Sequence, residues 1–136
     1  MARILCIDYG RKRCGLAVTD PLQLIVNQLD SVKTEEILNY IVQYCKVEAV
    51  EKIVFGMPFH TDGNDTLISE EIRNLASKLQ LEIPNLLTDF QEEAFSSVKA
   101  KMTILKSGVP QKKRRDKELV DRVSAVIILQ EYLGHF

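Results

Sequence analysis

The strongest constraint on the fold is a short segment near the N-terminus that is apolar on both faces and ends in an acid. Residues 3 to 9 read RILCIDY. In a strand, Leu5 and Ile7 would point to one side of the sheet and their neighbours, ending with Asp8, to the other. Because both sides stay apolar up to Asp8, the segment predicts a central strand covered on both faces. A layered α/β domain is the architecture that provides such cover.

The remaining elements are predicted from the spacing of apolar residues and from turn signals. Further strands are expected within residues 14–19, 22–29, 51–56 and 85–89. Helical stripes follow Thr34, predicted as an N-cap, and run through Ile68, Val98 and Leu119. The order β-β-β-α-β-α-β-α-α predicts an α/β fold with a mixed five-stranded sheet, with three antiparallel strands, then αβ units, and helices on both faces. With 136 residues, the chain is expected to form one domain over residues 1–136.

Composition favours a soluble globular protein. The chain is 27% charged and 46% apolar, and its longest strongly apolar run, residues 125–129, is too short to cross a bilayer. The N-terminus lacks the features of a signal peptide, so we expect a cytoplasmic protein that does not contact a membrane. Cys6, Cys14 and Cys45 form no CxxC pair and are predicted to be small buried residues rather than zinc or disulfide ligands.

The net charge of −1 conceals one strongly basic segment. Eight basic residues and one acid between Lys99 and Lys117 give that segment +7, whereas the rest of the chain carries −8. A basic block on an otherwise acidic protein suggests a polyanionic partner. A solvated loop without a partner is the alternative interpretation.

Three acids stand out because of their positions. Asp8 ends the first strand, Glu93 follows the predicted fifth strand, and Asp121 lies near the start of the last helix. Carboxylates that converge repel one another unless a cation holds them, and oxygen-only ligands suit Mg²⁺ or Mn²⁺. Taken singly, each acid also has an ordinary structural role, as a turn cap, a surface charge or a first-turn helix residue. A strand followed by Asp-x-Gly also occurs in actin-like ATPases, but no second phosphate loop is found here.

Three motifs together resemble the YqgF (RuvX-like) family. Residues 8–20, DYGRKRCGLAVTD, match its opening pattern D-x-G-x-K-R-x-G-x-A-x-[ST]-D. Residues 53–63, IVFGMPFHTDG, are similar to its strand-and-loop motif, and residues 120–133, VDRVSAVIILQEYL, to its C-terminal helix. The motifs occur in the family's order, and the resemblance extends over the whole chain.

The resemblance implies an RNase H-like nuclease that uses divalent metal. It implies that Asp8, Glu93 and Asp121 are the catalytic and metal-binding acids, with Mg²⁺ or Mn²⁺ as the cofactor. Two metals about 4 Å apart can activate water and stabilise both reacting oxygens. The family's middle motif contains an arginine where this chain has Ala94, which puts catalytic competence or substrate handling in question.

The basic residues and the family relationship define the expected partner. Backbone phosphates are expected to bind at six side chains: Lys12, Arg13, Lys112, Lys113, Arg114 and Arg115. The leading hypothesis is a nuclease that processes the 5′ end of precursor 16S ribosomal RNA, as structured RNA or within a ribosomal particle. The alternatives are a Holliday-junction resolvase acting on four-way DNA and a non-catalytic nucleic-acid-binding module. No dimerisation stripe is evident, so we expect a monomer or a weak homodimer.

Overall fold

A computed structural model describes residues 2–58, 67–93 and 117–135 of the chain. Its strands are β1 (Arg3–Asp8), β2 (Arg13–Thr19), β3 (Val26–Lys33), β4 (Val50–Pro58) and β5 (Leu87–Glu93). Its helices are a 3-10 turn at Thr34–Glu36, α1 (Ile37–Val47), α2 (Leu67–Glu82) and α3 (Lys117–Tyr132). The predicted helix around Val98 lies outside the described residues.

The strands form one mixed sheet in the order β3-β2-β1-β4-β5. β1 pairs antiparallel with β2 and parallel with β4, β2 pairs antiparallel with β3, and β4 pairs parallel with β5. The predicted α/β fold with a mixed five-stranded sheet is therefore confirmed, and β1 occupies its centre.

The alternation predicted for β1 divides the core into two layers. Leu5 and Ile7 are fully buried in a cluster with apolar residues of α1 and α2, including Ile41 and Leu79. On the other face, the cluster combines β-strand residues with the small and aliphatic side chains of α3: Ile4, Cys6, Ala17, Val54, Ala125, Ile128 and Leu129. Asp8 lies two residues beyond Cys6, so the pleat directs it to the α3 face.

The predicted position of the third strand was wrong by four residues. Leu22, Leu24 and Ile25 were assigned to a strand, but they lie in the loop before β3 and are 54–66% exposed. The Asp20 carboxylate closes this loop by accepting the N–H groups of Leu24 and Ile25 at 2.7 and 2.8 Å. Gln23 has a φ of 59° there, which a continuous strand does not allow. A local side-chain turn therefore outweighs the apolar pattern.

Thr34 does not cap a helix as predicted. It begins the 3-10 turn, and α1 starts at Ile37 with no side-chain cap. The Thr34 hydroxyl donates instead to the carbonyl of Gly10, and its N–H donates to the carbonyl of Lys12 at 3.0 Å. The threonine thus holds the turn that follows Asp8.

Strand β5 extends beyond the predicted residues 85–89. It runs from Leu87 to Glu93, and its parallel pairing with β4 continues to the pair Pro58 and Glu93. Glu93 therefore ends the strand instead of following it.

Two smaller expectations concern the cysteines and the membrane. Cys6 and Cys14 are buried and Cys45 is half-buried, and all three are free thiols, so the prediction of burial holds fully for two of them. Among the described helices, none has the length and apolar character needed to span a membrane.

Candidate active site

Asp8 and Asp121 are brought to the same place by a glycine on β2. Asp8 pairs with Gly15 across the β1–β2 ladder. A Cβ atom added to Gly15 would lie 2.0 Å from the backbone carbonyl oxygen of Asp121. Directly paired residues in an antiparallel ladder have Cα atoms about 4.5–5.5 Å apart. The backbone of Asp121 therefore lies against the strand residue that neighbours Asp8.

The close approach of α3 depends on small residues on both surfaces. Gly15 offers no side chain on the strand, and Ser124 and Ala125 on the helix are almost fully buried, as their size predicts. A glycine inside a strand often marks such a backbone approach. Any larger residue at position 15 would have to displace the first turns of α3.

Arg13 forms an ion pair with the Asp121 carboxylate. Its Nε donates to Oδ2 at 2.8 Å, and the two side chains are 30% and 27% exposed. Arg13 was predicted to contact backbone phosphates. In the structure it contacts one of the predicted catalytic acids.

The pKa of the Cys14 thiol depends in part on the charges of Asp8 and Asp121. Burial is the main reason that the pKa of Cys14 is raised, and the negative charges of Asp8 and Asp121 act in the same direction. Both carboxylates are therefore close enough to act on one thiol. The thiol is kept protonated, which suits a packing role.

The turn between β1 and β2 is fixed in a tight conformation. A Cβ atom at Gly10 would lie 2.5 Å from the carbonyl oxygen of Arg13, so the turn requires glycine at this position. Thr34 holds the turn from the other side through the two hydrogen bonds given above. The basic residues of the turn are thus presented from a rigid backbone.

A cleft of about 480 Å³ lies beside this turn. Its lining combines four basic and two acidic side chains: Arg11, Lys12, Arg13, Lys33, Glu35 and Glu118. Arg11 and Lys12 are exposed. Because Glu118 precedes Asp121 by three residues on α3, and Arg13 contacts Asp121, the cleft opens next to Asp121.

On the opposite face of the sheet, a hydrogen bond anchors Tyr9, the residue after Asp8, to α2. Its hydroxyl donates to Oε2 of Glu71 at 3.2 Å. Burial, followed by the Glu71 charge, raises the pKa of Tyr9 to about 12, so the phenol stays protonated and continues to donate. Asp8 is therefore followed by a side chain that fixes the end of β1.

The backbone of Glu93 lies at the carboxyl end of the parallel strands, as does Asp8. It ends β5, which is separated from β1 by β4 alone. Within residues 2–58, 67–93 and 117–135, no group of three acids, histidines or cysteines is close enough to hold a metal. The three-acid site with Glu93 therefore stays a prediction.

The side-chain chemistry of Asp8 and Asp121, whose backbones both lie against Gly15, suits a hard divalent cation. Their side chains offer only carboxylate oxygens as ligands. Asp8 is half-buried, and Asp121 is part-exposed beside the cleft. Oxygen donors of this kind suit Mg²⁺ and Mn²⁺ better than zinc. Lys112, Lys113, Arg114, Arg115 and Ala94 lie outside the described residues.

The chain matches a known protein family over almost its whole length. The family model RuvX, described as Holliday junction resolvase, matches residues 2–135. The chain belongs to the RuvX family. A protein of Porphyromonas gingivalis is 47% identical over 135 residues, covering 99% of this chain and 98% of its own length. A protein of Bacteroides fragilis is 43% identical over 136 residues, covering 98% and 96%. Both carry the name "Putative pre-16S rRNA nuclease".

Solved structures support the fold of this RuvX-family chain. RuvC of T. thermophilus, solved in complex with a Holliday junction substrate, has a TM-score of 0.57 and 13% identity, covering 98% of this chain and 97% of RuvC. Such a likeness establishes the RNase H-like architecture alone. It adds no residue roles to the site.

Sequence reasoning missed Gly15 and the pairing of Arg13 with Asp121. Gly15 carried a usable signal, because glycine inside a predicted strand indicates a bulge or a close backbone approach. Arg11 and Lys33 were also missed as parts of the cleft. Lys33 neighbours Arg13 only through the β2–β3 register, which the misplaced third strand concealed.

Proposed function

We propose that this chain is a metal-dependent nuclease that hydrolyses phosphodiester bonds at the 5′ end of precursor 16S ribosomal RNA. The observation that carries the proposal is that the backbones of Asp8 and Asp121 both lie against Gly15, next to a cleft lined by four basic side chains. Carboxylates hold the metal, and basic side chains hold the phosphates of a polyanion.

Each residue has a defined role in this proposal. Asp8, on the central strand, and Asp121, on α3, are the ligands of Mg²⁺ or Mn²⁺, and Glu93 completes the set from the end of β5. The bound metal supplies water activation and charge stabilisation. Lys12 and Arg13 position the substrate backbone from the rigid turn. Lys112, Lys113, Arg114 and Arg115 extend that contact from the segment before α3.

The relatives favour RNA over a DNA junction. The proteins at 47% and 43% identity are named for pre-16S rRNA and match this chain over almost their whole length. The junction is named in the description of the family and in the RuvC complex, which is 13% identical. Symmetric cutting of a junction also needs a two-fold dimer with correctly spaced sites.

The test offers both substrates to the same protein. The parent is incubated with a precursor 16S ribosomal RNA fragment and, separately, with a four-way DNA junction, each with Mg²⁺ or Mn²⁺. We expect cleavage of the RNA, leaving a 5′-phosphate and a 3′-hydroxyl, and an intact junction. Symmetric cutting of the junction with untouched RNA would reject this proposal in favour of a resolvase.

A second result would point to a binding module. In that case the parent would bind the RNA in a salt-dependent way, without metal-dependent turnover. Ala94 would then be the first position to change, and Ala94→Arg should restore turnover if the missing arginine is the cause.

Asp20→Asn is the matched control for substitutions of acids. Asp20 lies at the opposite end of β2 from Gly15, and one oxygen accepts both of its loop hydrogen bonds.

A further inference from the structure

Arg13 stands between the acidic site and the basic cleft. Its Nε donates to Oδ2 of Asp121 at 2.8 Å, and the same side chain lines the cleft beside Arg11 and Lys12. A single guanidinium therefore faces both a predicted metal ligand and the predicted path of the substrate.

The ion pair occupies a carboxylate that we propose as a metal ligand. A carboxylate has two oxygens, and Arg13 already occupies one of those of Asp121. A divalent cation at Asp121 would compete with the guanidinium for that carboxylate and would repel its positive charge. Arg13 thus opposes cation binding as long as it stays on Asp121.

A phosphate offers Arg13 an alternative partner. The guanidinium fork matches the two oxygens of a phosphate as well as those of a carboxylate. Both Arg13 and Asp121 are about one-third exposed, so the side chain can exchange partners without disturbing the core. The backbone stays fixed, because Arg13 pairs with Lys33 and Thr34 holds the preceding turn.

We propose that Arg13 couples metal binding to nucleic-acid binding by moving from Asp121 to a backbone phosphate. The inference rests on the proposed function, since it takes Asp121 as a metal ligand and nucleic acid as the substrate. Arg13 neutralises Asp121 in the absence of substrate. Its transfer to a phosphate frees Asp121 for the cation, so each ligand strengthens the binding of the other.

The first test measures Mn²⁺ affinity without nucleic acid. Arg13→Gln should bind Mn²⁺ about two- to five-fold more tightly than the parent, the range expected for a part-exposed ion pair. Lys12→Gln is the matched control, because it removes the same charge one residue away, and within the described residues Lys12 forms no ion pair. At about 0.15 M salt, this more distant change should leave Mn²⁺ affinity within about 1.5-fold of the parent.

The second test measures the affinity of a short RNA hairpin in EDTA and in Ca²⁺. Arg13→Gln should weaken RNA binding at least about three-fold more in Ca²⁺ than in EDTA, because the guanidinium reaches the phosphate only when the cation takes Asp121. Lys12→Gln should weaken binding by the same factor in both solutions. Arg13→Lys, which keeps the charge, serves if Arg13→Gln does not fold, and should shift both measurements in the same direction by less.

Two results would overturn the inference. Unchanged Mn²⁺ affinity in Arg13→Gln would show that Arg13 does not compete for Asp121. An equal loss of RNA affinity in EDTA and in Ca²⁺ would make Arg13 an ordinary phosphate contact. Both experiments measure binding alone, so a parent protein that fails to cleave RNA would reject the proposed function while the Mn²⁺ comparison still decides this inference.

Discussion

Helix α3 is tied to the sheet by polar side chains at both ends, and the two ties differ in the number of acids that they bring together. Near its C-terminus, Lys52 donates to the Tyr132 hydroxyl at 3.0 Å, and Tyr132 donates to Asp89 at 2.6 Å. The Lys52 ammonium also lies 5.4 Å from the centre of the Tyr132 ring. One cation, one hydroxyl and one carboxylate form a complete chain.

The other tie, near the N-terminus of α3, brings two acids close together. Asp121 is paired with Arg13, but Asp8 lies at the neighbouring ladder position, on the same face. Two negative charges held close together repel each other, and a cation between them removes that repulsion. The C-terminal tie therefore stabilises the fold, whereas the N-terminal tie holds the two acids that we propose as metal ligands.

The largest expected effect comes from removing the acids. Asp8→Asn, Glu93→Gln and Asp121→Asn should each lower RNA cleavage by at least about a hundredfold, the scale expected when one preorganised electrostatic contact is lost. Cleavage rates at saturating Mg²⁺ measure this loss, with Asp20→Asn as the control. Full activity in any of the three variants would remove that residue from the site.

The same acids should differ in their effect on stability. Asp8→Asn should raise the melting temperature without metal, because it relieves repulsion between clustered charges. Asp121→Asn should raise it less or lower it, since it also breaks the ion pair with Arg13. Thermal unfolding in EDTA measures both changes. A lower melting temperature for Asp8→Asn than for Asp121→Asn would contradict this view of the charge balance.

Gly15→Ala should damage the N-terminal tie by geometry alone. Its Cβ would meet the Asp121 carbonyl oxygen at 2.0 Å, and overpacking of this kind costs about 1–3 kcal/mol of unfolding free energy. We expect cleavage per folded molecule to fall as well, because Asp121 moves away from Asp8. Urea unfolding and cleavage rates below the unfolding transition separate these effects.

Leu79→Ala is the control for Gly15→Ala. Leu79 is fully buried in the layer on the opposite face, and its truncation should cost about 2–5 kcal/mol. This variant should keep its cleavage rate per folded molecule. If Gly15→Ala also kept that rate, Gly15 would be a packing residue without influence on the site.

Tyr132→Phe should loosen the C-terminal tie with a smaller effect. It removes one hydroxyl that links Lys52 with Asp89, and such a hydrogen bond is worth about 0.5–1.5 kcal/mol. Cleavage per folded molecule should remain unchanged, because the site lies at the other end of α3. A large loss of activity would show that the two ends of the helix are not independent.

The smallest expected effect is the pH dependence of the C-terminal tie. The Tyr132 hydrogen bond, followed by the N–H of Phe90, lowers the pKa of Asp89 below its ordinary value of 3.8. A depressed pKa stabilises the fold above the ordinary value, and this contribution is lost as the pH falls through the lowered one. Urea unfolding should therefore show a difference between parent and Tyr132→Phe that is full at pH 6 and shrinks below pH 3.8.

The part of that difference that depends on pH should be only a few tenths of a kcal/mol, since Asp89 is largely exposed and solvent screens it. If the difference in unfolding free energy between parent and variant grew as the pH fell, the hydrogen bond from Tyr132 to Asp89 would not be its cause.

Local pattern was sufficient for the type of sheet and for the positions of two of the three acids in the fold. The alternation of β1 placed Asp8 on one face, and the small residues of the last helix indicated that Asp121 would come close to the sheet. These features depend on periodicity, which neighbouring residues share. The third strand was misplaced because Asp20 folds the apolar residues after it into a loop.

Contacts between distant segments could not be predicted in the same way. Arg13 and Asp121 are 108 positions apart, and their pairing depends on how deeply α3 lies against β2. The depth is set by Gly15, whose meaning is evident only once the strand register is known. The basic segment before α3 and the residues around Ala94 remain predictions from sequence.

The most direct test of the central claim is metal-dependent cleavage of a precursor 16S ribosomal RNA fragment by three proteins purified identically: the parent, Asp8→Asn and Asp20→Asn. The account predicts cleavage by the parent and by Asp20→Asn in Mg²⁺ or Mn²⁺, none in EDTA, and none by Asp8→Asn. Equal cleavage by Asp8→Asn and the parent would contradict it, because the reaction would then not depend on the acid at the end of the central strand.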